Sequence, residues 1–243
     1  MELLFLNSLS KDGNMAESLE PGVGLKNSEL FFNKNKIPIE NTIFIDILDS
    51  NVIKEYDKSL VKISEYGVRY ISADALITKK NNLFIYQKFG DCIPFTVYDT
   101  ENNTLVFAHL GVVSVINLLH KEIIKKLTTE YSSNVKNLKC YLGPSIKKES
   151  YLKEINDNKI VNELGKYLEK KGNNMYLVDM QGFVVDNLLS MGILKENIYV
   201  DPSDTAKDQR YFSHYRSKND PSLKEQRFIY GVMISRGEIW QMY

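Results

Sequence analysis

One predicted β-hairpin, between Gly90 and Gly111, constrains this chain of 243 residues more than any other stretch. Its sequence is GDCIPFTVYDTENNTLVFAHLG. Pro94–Asp99 and Thr104–His109 are rich in residues that favour strands, and Thr100–Asn103 has the composition of a turn. Two strands joined by so short a turn must run antiparallel, so the two ends of the stretch are brought together.

The pairing of the hairpin brings a thiol and an imidazole close to each other. If Asp99 pairs with Thr104, His109 lies opposite Pro94, and Cys92 is a diagonal neighbour at roughly 5–8 Å. Such a pair is half of a metal site or a nucleophile with its base. The alternative is a buried cysteine beside an unrelated histidine.

Composition excludes several classes of protein. Lys+Arg and Asp+Glu are equal at 31 each, so there is no overall basic field for nucleic acid. The basic segments Lys121–Lys126 and Lys147–Lys153 are interpreted as solvated helix faces. No apolar run approaches the roughly 20 residues of a membrane helix. The start of the chain reads as a strand, not a signal peptide, and the two cysteines predict a reducing cytoplasm.

Strands and helices alternate without a regular βαβ period, which predicts a single α+β domain over residues 1–243. Residues 8–41 are predicted to be irregular because they are rich in Gly, Pro, Asn and Lys. Apolar residues from Val112 to Leu127 recur at helical spacing and predict one amphipathic helix that begins just after His109. Residues 151–170 are predicted to form another helix. Cys140 falls on the apolar face of a strand, and Asp179 is a candidate N-cap.

Several short segments, in the same order over residues 43–236, resemble one family. It is the laccase-like or multicopper polyphenol oxidase family, now associated with purine nucleoside phosphorylase and adenosine deaminase activity and with peptidoglycan editing. The segments that carry the resemblance are SADALIT (72–78), GDCIPFTVYD (90–99), FAHLG (107–111), LGPSI (142–146) with Tyr151 after it, NLLSMGI (187–193), YFSHYR (211–216) and Gln226-Arg227.

The resemblance implies a fold and a chemistry. The fold is a layered α+β domain with a central mixed β-sheet core of two packed sheets and outer helices, of the CNF-toxin/laccase-like type. The family holds Zn²⁺ with two His and one Cys and leaves a position open, and Cys92 and His109 match two of those ligands. The expected ligands are a purine nucleoside and phosphate, which a transferase or hydrolase of this kind processes by phosphorolysis or deamination.

The resemblance also supplies the remaining candidate site residues. Asp91, adjacent to Cys92, is a candidate catalytic residue, either as a metal ligand or by orienting one. The candidate substrate- or phosphate-binding residues are Ser145, Ser213, Arg216 and Arg227.

The sequence departs from the family pattern at the metal. Leu48 occupies the position of the family's first histidine, so two of the three expected ligands remain. The Trp-Arg-Gly that follows the second histidine is replaced by Val112-Val113-Ser114, which removes a possible phosphate contact. The alternatives for a replacement ligand are Asp91, Asp46, Asp49 and His214. His120 is interpreted as a surface or helix-face residue.

Three functions remain open from the sequence. The first is an active purine-nucleoside enzyme with a rebuilt metal site. The second is a degenerate, ligand-binding or regulatory member that keeps the fold but not the chemistry. The third is a metal-free amidohydrolase-type enzyme in which Cys92 is the nucleophile and His109 its base.

Overall fold

The computed structural model describes residues 2–235, so Met1 and residues 236–243 of the predicted single domain lie outside the described part. The strands are β1 Glu2–Asn7, β2 Thr42–Asp46, β3 Ile53–Glu55, β4 Lys62–Ile63, β5 Arg69–Ser72, β6 Ala75–Thr78, β7 Phe84–Phe89, β8 Ile93–Asp99, β9 Thr104–Leu110, β10 Leu138–Leu142, β11 Leu152–Glu154, β12 Leu168–Lys170, β13 Met175–Val178, β14 Ile198–Val200 and β15 Phe228–Ser235. The α-helices are α1 Gly24–Lys34, α2 Val112–Ile116, α3 Leu119–Glu130, α4 Asn158–Leu164, α5 Met180–Ser190 and α6 His214–Asn219. Short 3₁₀ turns lie at Ser10–Asp12, Ile39–Asn41, Lys58–Leu60, Val135–Asn137, Gly165–Tyr167 and Lys195–Asn197.

Two six-stranded mixed sheets form the centre of the molecule. The first has the order β1-β15-β7-β2-β5-β4, and the second has the order β14-β10-β8-β9-β6-β3. Buried side chains of both sheets form a shared apolar layer, with Ile43 and Ile85 from the first sheet and Leu105 and Phe107 from the second. The predicted α+β architecture of two packed sheets with outer helices is confirmed.

Helices cover the outer faces of both sheets. Val115 of α2, Ile123 of α3 and Val184 of α5 pack with the outward residues of the second sheet. Phe31 and Phe32 of α1 cover the first sheet. Within residues 2–235, no helix combines the length and apolarity needed to cross a membrane.

The hairpin has the predicted register. Asp99 pairs with Thr104 and Pro94 with His109. The turn is fixed by the buried Asp99 carboxylate, which accepts hydrogen bonds from the backbone N–H groups of Glu101 (2.9 Å) and Asn102 (3.1 Å). Local turn chemistry and strand alternation therefore agree in this part of the chain.

Two further predictions are confirmed. Cys140 is fully buried on β10, and Asp179 caps α5 through a 2.8 Å hydrogen bond from the Gly182 N–H.

Three predictions of local structure are wrong. Residues 8–41 contain α1, whose apolar residues pack on the first sheet. The helix predicted from Val112 to Leu127 is broken into α2 and α3 at Leu118, which has a φ of 60°. Residues 151–170 contain β11, α4 and β12 because β11 and β12 flank β13 in a small three-stranded sheet. That pairing is non-local, so the helical spacing in the sequence did not reveal it.

Candidate functional site

Cys92 and His109 meet at the open end of the hairpin. His109, the second-last residue of β9, lies opposite Pro94, and Cys92 lies just before β8. A Cβ placed on Gly111 would be 3.2 Å from His109 Cε1 and 3.5 Å from Cys92 Sγ. Both side chains therefore flank Gly111, and the absence of a side chain there leaves room for the pair.

Burial keeps both groups of the pair neutral. Burial raises the pKa of the Cys92 thiol to about 12, with the charge of Asp91 acting in the same direction and that of Arg227 opposing it. Burial lowers the pKa of His109 to about 4, although the nearby Asp74 charge opposes the shift. His109 Nδ1 is buried and has no hydrogen-bond partner within residues 2–235. The pair is therefore a thiol and a neutral imidazole with a free ring nitrogen.

The loop that carries Leu48 is wound around a buried carboxylate. Asp74 is fully buried, and its Oδ1 accepts the backbone N–H groups of Leu48 (2.9 Å) and Asp49 (2.7 Å). Its Oδ2 accepts those of Ser50 (3.1 Å) and Val52 (2.8 Å). Four N–H donors satisfy the charge of Asp74. Leu48, 45% exposed, brings a hydrocarbon side chain with no donor atom to this loop.

The alternative ligands are held by other partners. Asp91 accepts hydrogen bonds from the Thr205 hydroxyl (2.6 Å), the Ser213 hydroxyl (3.0 Å) and the Tyr215 N–H (2.6 Å). The bonds at Asp91 favour a positioning role over ligation.

The other two candidates for which the structure gives partners are similarly engaged. Asp46 accepts the Ser72 hydroxyl at 2.8 Å, and His214 Nδ1 lies 2.7 Å from Glu225.

The donor set does not fit the three-ligand zinc site of the family. Cys92 and His109 supply two donors, a sulfur and a ring nitrogen, whereas a catalytic zinc site uses three protein ligands. No group of three His, Cys, Asp or Glu side chains in the described chain is arranged to hold a metal ion. Leu48, the residue predicted to replace the third ligand, has no donor atom in its side chain.

A cavity of about 380 Å³ opens beside Cys92, and we call it the Cys92 cavity. The end of the hairpin, β11 and α6 form its walls. The rings of Tyr151 and Tyr215 lie 6.5 Å apart at 85°. Lys153, Lys218 and His214 add cationic or titratable groups, and Ile93, Leu110 and Met180 add apolar surface. Neither lysine forms an ion pair with another described residue.

The four predicted substrate- or phosphate-binding residues do not line this cavity. Ser145 is fully buried, donates to the Gly143 carbonyl at 3.1 Å and accepts from the Gln181 amide. Ser213 caps α6 and bonds Asp91.

The two arginines are also held by other protein groups. Arg216 donates to the carbonyls of Asp208 and Tyr211. Arg227 is paired with Glu225 and lies against Gly90, so it is the one of the four that borders the Cys/His pair.

The sequence predicted Asp91, Cys92 and His214 of the cavity wall as candidates, but it assigned no role to Tyr151, Lys153 or Tyr215. Tyr151 and Lys153 are two positions apart at β11, so strand alternation points them to one side. That signal was hidden by the prediction of a helix over the same residues. Tyr215 lies within the segment YFSHYR (211–216), and its position depends on contacts distant in sequence.

Comparison with known proteins places the chain in a family. A model described as multi-copper polyphenol oxidoreductase laccase matches residues 18–233. The chain belongs to this family. The solved structure of the hypothetical protein YfiH from Bacillus licheniformis has a TM-score of 0.80 at 18% identity, covering 91% of this chain and 85% of that one. YlmD from Geobacillus stearothermophilus has the same TM-score at 17% identity, covering 92% and 85%. At these identities the similarity shows the laccase-family fold alone.

Curated relatives of this chain carry an enzymatic name. Purine nucleoside phosphorylase SACOL1200 of Staphylococcus aureus (strain COL) is 28% identical over 163 residues, covering 64% of this chain and 59% of the relative. Purine nucleoside phosphorylase RC0672 of Rickettsia conorii (strain ATCC VR-613 / Malish 7) is 25% identical over 194 residues, covering 73% and 76%. The chain thus matches 59% of the length of the S. aureus relative.

Proposed function

We propose that this protein binds a purine nucleoside in the Cys92 cavity. The volume of about 380 Å³ is within the range of small-molecule pockets. The rings of Tyr151 and Tyr215 offer an aromatic face and edge to a flat base, and Ile93, Leu110 and Met180 add apolar surface to the cavity wall. The names of the curated relatives supply the ligand class.

The observation that carries the chemical part of the proposal is the incomplete donor set at Cys92 and His109. Because only Cys92 and His109 remain as metal ligands and Leu48 has no donor atom, we favour a family member that binds a nucleoside over a metal-dependent enzyme. Phosphorolysis or deamination of the nucleoside is the second candidate. The unpaired Lys153 and Lys218 at the cavity wall support it, because phosphorolysis requires cations that position phosphate.

The metal-free Cys/His enzyme has less support. No hydrogen bond joins the Cys92 thiol to the His109 imidazole in the part of the chain that the structure describes. A base of this kind is normally oriented by a hydrogen bond at its second nitrogen, and Nδ1 of His109 has no such partner among the described residues. We also propose, from cysteine usage, that the protein works in the cytoplasm.

The proposal is tested with one preparation of the full chain. Calorimetric titration with adenosine should show binding with one site per chain. Incubation with adenosine, with and without phosphate, followed by detection of adenine, inosine and hypoxanthine, should show no turnover. Metal analysis should find less than about a tenth of a zinc per chain. Absence of adenosine binding would contradict the proposal, whereas turnover accompanied by bound zinc would establish the second candidate in its place.

A further inference from the structure

A second, larger cavity lies on the outer face of the first sheet. It has a volume of about 710 Å³, and we call it the Lys88 cavity after the lysine in its wall. Strands β5 and β7 both pair parallel to β2, so the three strands end on the same side. The cavity is lined by Asp46 and Lys88, in the C-terminal halves of β2 and β7, and by Tyr70 of β5, which pairs with Phe44.

Lys88 is the unusual residue of this cavity. It continues the outward row of β7, after the buried rings of Phe84 and Tyr86. Its Nζ lies 5.4 Å from the centre of the Phe44 ring, and no ion pair is formed with it by any residue between 2 and 235. Burial lowers the pKa of this amine, and the charge of Glu17 opposes the shift. A half-buried ammonium group without a counter-ion is costly to keep.

The carboxylates around Lys88 already have other partners. Glu17 accepts the backbone N–H groups of Gly22 and Leu25. Asp46 accepts the Ser72 hydroxyl, and Glu65 interacts with the neighbouring Tyr66 hydroxyl and raises its pKa. All three acidic residues of the cavity wall are thus engaged within the protein. The acidic group of a bound molecule would supply the direct ion pair that none of these carboxylates makes with Lys88.

The remaining walls indicate the shape of that molecule. Phe44 and Tyr70 present aromatic rings beside Lys88, and Tyr66 is exposed at the cavity. Arg227 adds a second cation, although it is already paired with Glu225. Rings beside an unpaired amine fit a ligand that has a planar part and one acidic group.

We propose that the Lys88 cavity binds a small aromatic anion whose acidic group pairs with the Lys88 amine and whose ring lies against Phe44 and Tyr70. The site is separate from the Cys92 cavity and does not depend on nucleoside binding there. A carboxylate and a phosphate ester share the required chemistry, and two probes distinguish them.

The test is calorimetric titration of the full chain with benzoate and with phenyl phosphate, and with phenol as the uncharged control. At least one of the two anions should bind with one site per chain and at least about tenfold more tightly than phenol. The anion that binds more tightly identifies the acidic group. Failure of both anions to bind more tightly than phenol overturns the proposal.

Variants assign the binding to Lys88. Lys88→Met keeps the length and apolar stem of the side chain and should weaken binding at least about tenfold, whereas Lys88→Arg should keep it within about threefold. Lys195→Met, at an exposed lysine elsewhere, should have no effect. Lys153→Met should also leave binding unchanged, and a loss in this variant would move the ligand to the Cys92 cavity and overturn the assignment.

A measurement on the unmodified protein covers the case in which Lys88→Met does not fold. The bound anion should slow acetylation of Lys88 by acetic anhydride, followed by mass spectrometry, at least about tenfold without slowing that of Lys195. Equal rates with and without the anion would overturn the proposal. Adenosine titrated into the same sample reports separately on the Cys92 cavity.

Discussion

The carboxylate of Asp91 accepts a 2.6 Å hydrogen bond from the backbone N–H of Tyr215, 124 residues further along the chain. The same carboxylate bonds the hydroxyls of Thr205 and Ser213. Asp91 precedes Cys92, and Tyr215 belongs to α6, so these bonds hold α6 over the end of the hairpin. The Cys92 cavity exists because a buried charge on one of its walls is satisfied by donors from the other.

Asp91→Asn should therefore destabilise the protein and weaken adenosine binding together. Removing the charge weakens three hydrogen bonds, and we expect a loss of about 2 kcal/mol in the free energy of unfolding in urea. Glu163→Gln, at an exposed position of α4, is the matched control and should change stability by less than about 0.5 kcal/mol. Loss of binding with unchanged stability would show that Asp91 acts on the ligand itself instead.

Leu48→His should create the missing metal ligand. With Cys92 and His109, a third donor from the loop around Asp74 completes the number that zinc requires, and we expect zinc affinity to rise at least about tenfold. Competition with a chromogenic chelator measures the zinc affinity of the variant and of the unmodified protein.

Two controls accompany the Leu48→His variant. Ile63→His, at a 66% exposed position of β4, should bring no such gain. Adding Cys92→Ser to Leu48→His should remove the gain. Unchanged zinc affinity in Leu48→His would mean that position 48 does not correspond to the family ligand.

The parts of this protein that follow from the sequence are those fixed by nearby residues. The hairpin register was predictable because Asp99 and the turn after it specify which residues pair. The helix α1 was missed because its segment is rich in residues typical of loops, and packing of Phe31 and Phe32 stabilises it. The Cys/His half of the site was predictable, since the hairpin alone brings the two together. The wall of the site formed by α6 depends on the hydrogen bond between Asp91 and Tyr215, which lie far apart in the sequence, so no local pattern specifies it.

His120 should make the protein sensitive to acid. Both ring nitrogens of this fully buried side chain lack hydrogen-bond partners in the described chain, and burial, aided by the charge of Lys121, lowers its pKa from 6.5 to about 4. The unfolded chain therefore binds a proton below pH 6.5 that the folded protein does not bind until about pH 4. Stability from this group is present above pH 6.5 and decreases by about 2 kcal/mol on going from pH 7 to pH 5.

His120→Leu tests this pH dependence. The variant should be more stable than the unmodified protein at pH 7, because no unpaired nitrogen is buried, and the difference should grow at pH 5. Part of the decrease between the two pH values should remain, since the pKa of His109 is also lowered to about 4. His214→Leu, at an exposed histidine, should keep the full decrease. Urea unfolding at pH 7 and pH 5 measures the free energy of unfolding of each protein. If the decrease between the two pH values is the same in His120→Leu as in the unmodified protein, the assignment to His120 is contradicted.

Tyr151 should contribute the largest single part of nucleoside affinity in the Cys92 cavity. Stacking of a base on an aromatic side chain contributes about 1–3 kcal/mol, so Tyr151→Ala should weaken adenosine binding about tenfold or more. Tyr151→Phe keeps the ring and should bind within about threefold of the unmodified protein, which separates stacking from the hydroxyl group. Tyr66→Ala, at an exposed tyrosine of the Lys88 cavity, should leave adenosine binding unchanged. Calorimetry on the four proteins measures adenosine affinity. Unchanged affinity in Tyr151→Ala would mean that the nucleoside binds elsewhere. A lower thermal midpoint in Tyr151→Ala, with affinity not restored in Tyr151→Phe, would indicate a role in folding alone.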